Sequence, residues 1–92
     1  MMKKTLVFGA SLNPTRYSNL AIRRLVDSGI ETQAYGLGEG EVSGVNISNN
    51  FNEINHIHTI TLYLNPKRQK EYFNELISLA PSRVIFNPGT EN

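Results

Sequence analysis

Ten consecutive residues, Gly9-Ala10-Ser11-Leu12-Asn13-Pro14-Thr15-Arg16-Tyr17-Ser18, combine the types that hold an anion. Gly9 and Ala10 let the backbone approach a ligand closely. Ser11, Asn13 and Ser18 add small hydrogen-bonding groups, and Arg16 adds a charge suited to phosphate. A buried strand that ends in such a turn and then opens a helix aims amide groups and the helix dipole at one spot. The same residues also serve a short strand-to-helix turn through geometry and capping alone. A single arginine is more often a solvated surface residue. The local pattern leaves both readings open.

Other chemistries are poorly served. A dinucleotide fingerprint needs three glycines in G-x-G-x-x-G, and residues 9–14 supply one. The ribose-binding acid is also missing, since Gln33, Ala34, Tyr35 and Gly36 stand where it belongs. No Gly-Lys-Ser/Thr triplet occurs, which excludes a Walker loop. Ser11 lacks the second glycine of G-x-S-x-G. His56 and His58, spaced i, i+2 at the start of a strand, face one side, but no carboxylate or third histidine is arranged with them. Lys67, Glu71 and Glu75 follow at i, i+4 spacing and suit a solvated helix face. No nucleophile or acid–base pair stands out, so no catalytic or metal-ligating residue is expected.

The elements that position the turn follow from periodicity. Residues 4–8 form an apolar, β-branched and aromatic run without alternation, as a strand covered on both faces does. From Tyr17 to Ser28 the spacing of Ile22, Leu25 and Val26 predicts a helix, which Gly29 closes. Residues 31–35 resemble a second strand, completing a βαβ unit. Four glycines in residues 36–44 predict a loop. A brief strand at 45–47 and a helical turn at 51–54 follow. Residues 59–64 read as a long strand. Asn65-Pro66 reads as a helix start, and Phe73, Leu76, Ile77 and Ala80 as the buried stripe of one helix running to Pro81. Residues 83–86 make a last strand, and residues 87–92 a turn sequence.

This order predicts an α/β, Rossmann-like three-layer sandwich with a mainly parallel sheet. In such a sheet the ligand crevice lies outside the carboxyl ends of the strands. Residues 9–18, 64–66 and 87–92 meet there, flanked by residues 36–44. The chain ends where a further helix and strand would cover the sheet, so the single domain is expected to be incomplete at its C-terminus.

Length and composition set outer bounds. Ninety-two residues allow one small domain. The 39% hydrophobic and 18% charged fractions are those of an ordinary globular chain. A net charge of +1 lacks the basic surplus of a nucleic-acid binder. Without cysteines, disulfides and zinc–thiolate sites are excluded, and a cytoplasmic location is the default expectation. The apolar run after Lys3 and Lys4 is too short for a signal segment or a membrane span.

The pattern Gly9-Ala10-Ser11-x-x-Pro14-x-Arg16-x-Ser18 resembles the small stand-alone CoA-binding proteins, which are similar to the CoA-binding domain of succinyl-CoA synthetase α subunits. The likeness continues through Gly40-Glu-Val-x-Gly44, the Leu64-Asn65-Pro66 junction and the closing Asn87-Pro88-Gly89-Thr90-Glu-Asn92. The resemblance implies that CoA or an acyl-CoA lies over the carboxyl edge of the sheet. Its phosphates would sit near residues 11–16, and its pantetheine arm would pass Asn65 and residues 87–90. Synthetase relatives often carry a lysine in the loop after the second strand. Here Gly38, Glu39 and Gly40 stand in that loop, without a base.

The expected function is non-catalytic binding of CoA or an acyl-CoA. The expected site residues are Gly9, Ala10, Ser11, Asn13, Pro14, Arg16, Ser18, Gly36, Asn65, Pro66, Asn87, Pro88, Gly89 and Thr90. The expected partner is a small nucleotide-type ligand, with no nucleic acid and no membrane; a homo-oligomer is compatible with the sequence. Two alternatives stand beside this reading. One is a nucleotide-dependent oxidoreductase or ligase fragment that needs a partner chain. The other is a regulatory or assembly module whose vestigial site binds nothing, with residues 36–44 collapsed into the crevice.

Overall fold

A computed structural model describes residues 3–64 and 66–87. Its centre is β1 (Lys4–Phe8), which pairs in parallel with β2 (Thr32–Tyr35) on one side and with β5 (Ile57–Leu62) on the other. Leu6, Val7 and Phe8 are all buried, as a run without polar alternation requires of a strand covered on both faces. Outside β2 lies β4 (Val45–Ser48), then β3 (Gly40–Val42); outside β5 lies β6 (Arg83–Phe86). The six-stranded sheet therefore runs β3-β4-β2-β1-β5-β6, and only the β3–β4 pairing is antiparallel.

The helices divide between the two faces. Helix α1 (Tyr17–Asp27) packs Ile22, with Leu25 and Val26 beside it, onto Val7, Ala34, Val42 and Ile47. On the other face a short 3₁₀ turn, Phe51–Glu53, and the helices α2 (Pro66–Glu71) and α3 (Phe73–Ser78) close over Leu6, Phe8, Ile60 and Leu62. This is the expected Rossmann-like sandwich. Because β2 and β5 leave β1 in opposite directions, the strand order reverses at β1, and the crevice outside its carboxyl end is the topological switch point. None of the helices among the described residues is long and apolar enough to cross a membrane.

Two local expectations need correction. The glycine-rich stretch 36–44 is not loop throughout, because residues 40–42 pair with β4 as an edge hairpin. Ser43 and Gly44 both adopt positive φ, 50° and 85°, which matches the primed two-residue turn favoured between twisted antiparallel strands. Val42 is buried, so the hairpin also gains core contact.

The second correction concerns the helix after Pro66. It breaks at Tyr72, whose backbone leaves the helical region (φ −109°, ψ 7°). The Tyr72 ring packs edge-on to Phe8 at 5.1 Å and to Tyr35 at 6.0 Å. The buried side then runs through Tyr72, Leu76 and Leu79. Phe73 and Ile77, expected in the stripe, are 54% and 68% exposed, and Ala80 leaves the helix at φ 47°. Periodicity alone cannot choose between two apolar stripes offset by one position; docking of the tyrosine ring does.

Candidate functional site

The turn between β1 and α1 is built by its own backbone and by two residues of the helix. The Tyr35 carbonyl accepts hydrogen bonds from both the Gly9 and Ala10 amides, each at 2.9 Å. Gly9 has φ +93°, and a side chain there would press on the Tyr63 carbonyl at 3.0 Å. Ser11 Oγ accepts from the Asn13 amide, and Asn13 Oδ1 accepts from the Thr15 amide and hydroxyl. From α1, Asn19 Nδ2 donates to the Ser11 carbonyl at 2.9 Å. Arg23 Nε donates to Asn19 Oδ1, and its Nη2 donates to the Pro14 carbonyl. Asn19 is buried, so the turn hangs on an enclosed amide brace.

Within this turn the amide groups divide into two sets. Those of Gly9, Ala10, Asn13, Thr15 and Arg16 are consumed internally. The amides of Ser11 and Leu12 make no hydrogen bond to the described residues. The anion-binding potential read from the whole stretch thus narrows, among the described residues, to two adjacent N–H groups, with Arg16 following at the N-cap of α1.

A cavity of about 470 Å³ opens beside them. One wall is the turn, with Gly9, Ala10, Ser11, Leu12, Asn13 and Arg16; the second is the start of the β2–β3 connection, with Gly36, Leu37 and Gly38. Tyr63, Leu64 and Arg68 form the third, and the floor is aromatic, from Phe8, Tyr35 and Tyr72. The Phe8 and Tyr35 rings stack with centroids 4.8 Å apart. The described lining contains two arginines and neither a carboxylate nor a histidine.

Burial, reinforced by the neighbouring Tyr72 and Glu75 side chains, holds the Tyr35 phenol above its ordinary value of 10.0. The folded protein then keeps this proton after the unfolded chain has lost it. Stability is untouched near neutrality and falls as pH rises past about 10. Denaturant midpoints followed into alkali are expected to show this fall, and Tyr35→Phe to make it shallower. An unchanged slope in the variant would show that folding does not perturb this phenol.

Six of the expected site residues line the cavity: Gly9, Ala10, Ser11, Asn13, Arg16 and Gly36. Pro14 sits in the turn with its carbonyl held by Arg23. Ser18 is fully buried within the first turn of α1, so it supports the turn from inside and is not among the lining residues. Pro66 opens α2. The Asn87 side chain donates to Thr61 Oγ1 and to the Leu62 carbonyl, both at 2.8 Å. Asn87 borders a different cavity, of about 440 Å³, on the α1 side of the sheet. Asn65, Pro88, Gly89 and Thr90 lie outside the described residues.

Residues that local reading passed over prove central to the geometry. Arg68 was visible only as one charge on a solvated helix face, and the aromatic floor draws on three distant segments. The brace of Asn19 and Arg23 did carry a signal: the two are i, i+4 neighbours directly behind the turn.

A mainly parallel α/β sandwich with a cavity at its switch point defines a Rossmann-like domain. Over residues 3–92 the chain matches the model of the CoA binding domain family, and it belongs to that family. No functionally curated protein matches it. Among solved structures, one of an uncharacterized protein is 48% identical, with a TM-score of 0.89, and this chain covers 100% of itself and 76% of that one. A conserved hypothetical protein from Pyrococcus furiosus is 26% identical, with a TM-score of 0.79 and coverages of 100% and 79%. A hypothetical protein from Pyrococcus horikoshii is 20% identical, with a TM-score of 0.76 and coverages of 95% and 78%, and so shares the fold.

Proposed function

We propose that this protein binds CoA or an acyl-CoA in the cavity at the carboxyl edge of its sheet, and that it holds the ligand without transforming it. The observation that carries this reading is the cavity wall itself: two adjacent amides unengaged among the described residues, in a lining shared with Arg16 and with no carboxylate in its described part to repel an anion. The family membership supports the choice of ligand. The volume lies within the usual range for ligand pockets, roughly 300–1,000 Å³. That open space supports a working site over a vestigial one, since residues 36–38 form a wall and leave the crevice open. Three tyrosines, Tyr35, Tyr63 and Tyr72, are the proton-bearing side chains of the described lining, while its two arginines suit charge binding.

Calorimetric titration with CoA, acetyl-CoA, NAD and ATP tests the proposal. Saturable heat with CoA or acetyl-CoA is expected, with weaker binding of the other two. No binding of either CoA species to folded protein would overturn it. Arg16→Ala removes a charge-assisted contact at an exposed position. The expected cost is about 1.5 kcal/mol, or about tenfold in Kd. Wild-type affinity in that variant would place the phosphates elsewhere.

A further inference from the structure

Helix α2 has no hydrophobic anchor of its own. Residues 67–71 read Lys-Arg-Gln-Lys-Glu, so none of their side chains can join the apolar core. None of the five is buried, and Lys67, Lys70 and Glu71 are exposed. The residues on either side behave differently. Leu64 and Tyr72 both pack against the apolar cluster of that face, and α3 carries the buried Leu76. What fastens α2 is polar. Gln69 Nε2 donates to the Leu64 carbonyl at 2.8 Å, and Arg68, the α2 residue in the cavity wall, is engaged as well. Water replaces polar ties at little net cost, whereas apolar packing has no such substitute. A helix of six residues is also too short to persist without an apolar face to pack. The chain beside it is already broken. The Tyr72 backbone leaves the helical region, and its amide turns back to the Gln69 carbonyl at 3.1 Å. The Leu76 amide donates to the Tyr72 carbonyl at 2.9 Å, so α3 starts its own ladder there.

We propose that α2 is a gate on the cavity, which opens by local unfolding while α3 stays docked, with Tyr72 as the hinge and the Gln69–Leu64 hydrogen bond as a latch. Segments that open locally are those with few buried apolar contacts, and α2 is the cavity's segment of that kind. Tyr72 suits a hinge because its ring is fixed, edge-on to Phe8 at 5.1 Å and to Tyr35 at 6.0 Å. Unwinding on its N-terminal side is therefore not passed on to α3. Opening takes Arg68 out of the wall and widens the cavity on that side. A ligand that fills the cavity gains its contacts with this wall only in the closed form, so binding shifts the gate shut. Taking CoA as that ligand rests on the reading above.

Amide hydrogen exchange of the whole chain, read residue by residue by NMR, tests the gate. In ligand-free protein the Lys70 and Glu71 amides are expected to exchange more than about tenfold faster than the Leu76 amide. Gln69→Ala should speed the Glu71 amide by a further factor of about five, with Leu76 unchanged within about twofold. Lys70→Ala, at an exposed position without the latch, is the control and should leave Glu71 within about twofold of wild type. Saturating CoA should slow the Lys70 and Glu71 amides by about tenfold or more. If α2 and α3 are equally protected in the free protein, they open as one unit and the inference fails. If Gln69→Ala acts no differently from Lys70→Ala, the latch is wrong and the inference fails. If calorimetry shows CoA bound while α2 exchanges as before, the inference fails and the ligand reading survives. If CoA does not bind, the ligand reading falls, and the ligand-free comparison with the Gln69 variant decides the gate by itself.

Discussion

Gly36→Ala is expected to disable the site while leaving most of the core intact. Gly36 follows β2 directly, and its amide donates to the Ser48 carbonyl at 3.0 Å, so its backbone is held in the sheet. A Cβ at this position would run into the carbonyl oxygen of Ala10. That obstacle is backbone in the binding turn and cannot swing aside like the end of a side chain. The turn must move, carrying the Ser11 and Leu12 amides with it. Overpacking of this kind costs about 1–3 kcal/mol. In a domain of this size each kcal/mol is about 4–8 °C of thermal midpoint. CoA affinity should drop by more than the tenfold expected for loss of the Arg16 side chain, because the whole amide pair is displaced. Gly38→Ala is the matched control: its Cβ would meet only Leu12, at an ordinary 3.8 Å. Calorimetry and thermal melts of the two variants decide the matter. If both bind and melt alike, close packing of the second strand on the turn is not what shapes the cavity.

Phe8→Ala should have the largest effect on stability. Phe8 is 1% exposed and ends the central strand. Its ring stacks on Tyr35 and meets Tyr72 and Phe51 edge-on, with centroids at 5.1 and 6.3 Å. Truncating a buried phenylalanine costs about 3–5 kcal/mol, and aromatic pairs add about 0.5–1.5 kcal/mol beyond their area. Small domains have about 5–15 kcal/mol in all, so one substitution removes a large share. A fall of well over 10 °C in the thermal midpoint, or loss of the cooperative transition, is expected. Phe8→Leu should recover much of the loss, because it keeps most of the apolar volume. A midpoint for Phe8→Ala within a few degrees of wild type would mean that the aromatic cluster is not a principal support. The cluster also floors the cavity, so stability and binding are coupled here. Ligand affinities of Phe8 variants are meaningful only below their melting range.

The layout of strands was legible because each long strand carries its own local signature. Residues 4–8 lack alternation, and a strand covered on both faces has no reason to alternate. The Asn65-Pro66 junction placed the start of α2 through Pro66, where a missing amide costs nothing. The β3–β4 hairpin was less legible. Ser43-Gly44 between two valines is a turn signal, but glycine density around it suggests disorder of pattern rather than pairing. The break at Tyr72 had no local signal. Residues 66–80 are helical by propensity throughout, and only the pocket beneath the tyrosine ring makes leaving the helix favourable.

The amino-acid sequence by itself determined the class of fold, the placement of an anion-suited turn after the first strand, and the absence of a Walker or dinucleotide fingerprint. These are properties of short segments, written in period, turn chemistry and motif spacing. Tertiary structure alone decided which groups are available to a ligand. It spends the Gly9 and Ala10 amides on the Tyr35 carbonyl and leaves those of Ser11 and Leu12 unengaged among the described residues. It buries Ser18 and turns Asn87 toward Thr61. It also brings Arg68 across the sheet to the cavity that Arg16 lines. Hydrogen bonds are exclusive and cavities are assembled from segments far apart in the chain, so neither can be read from the residues of one turn.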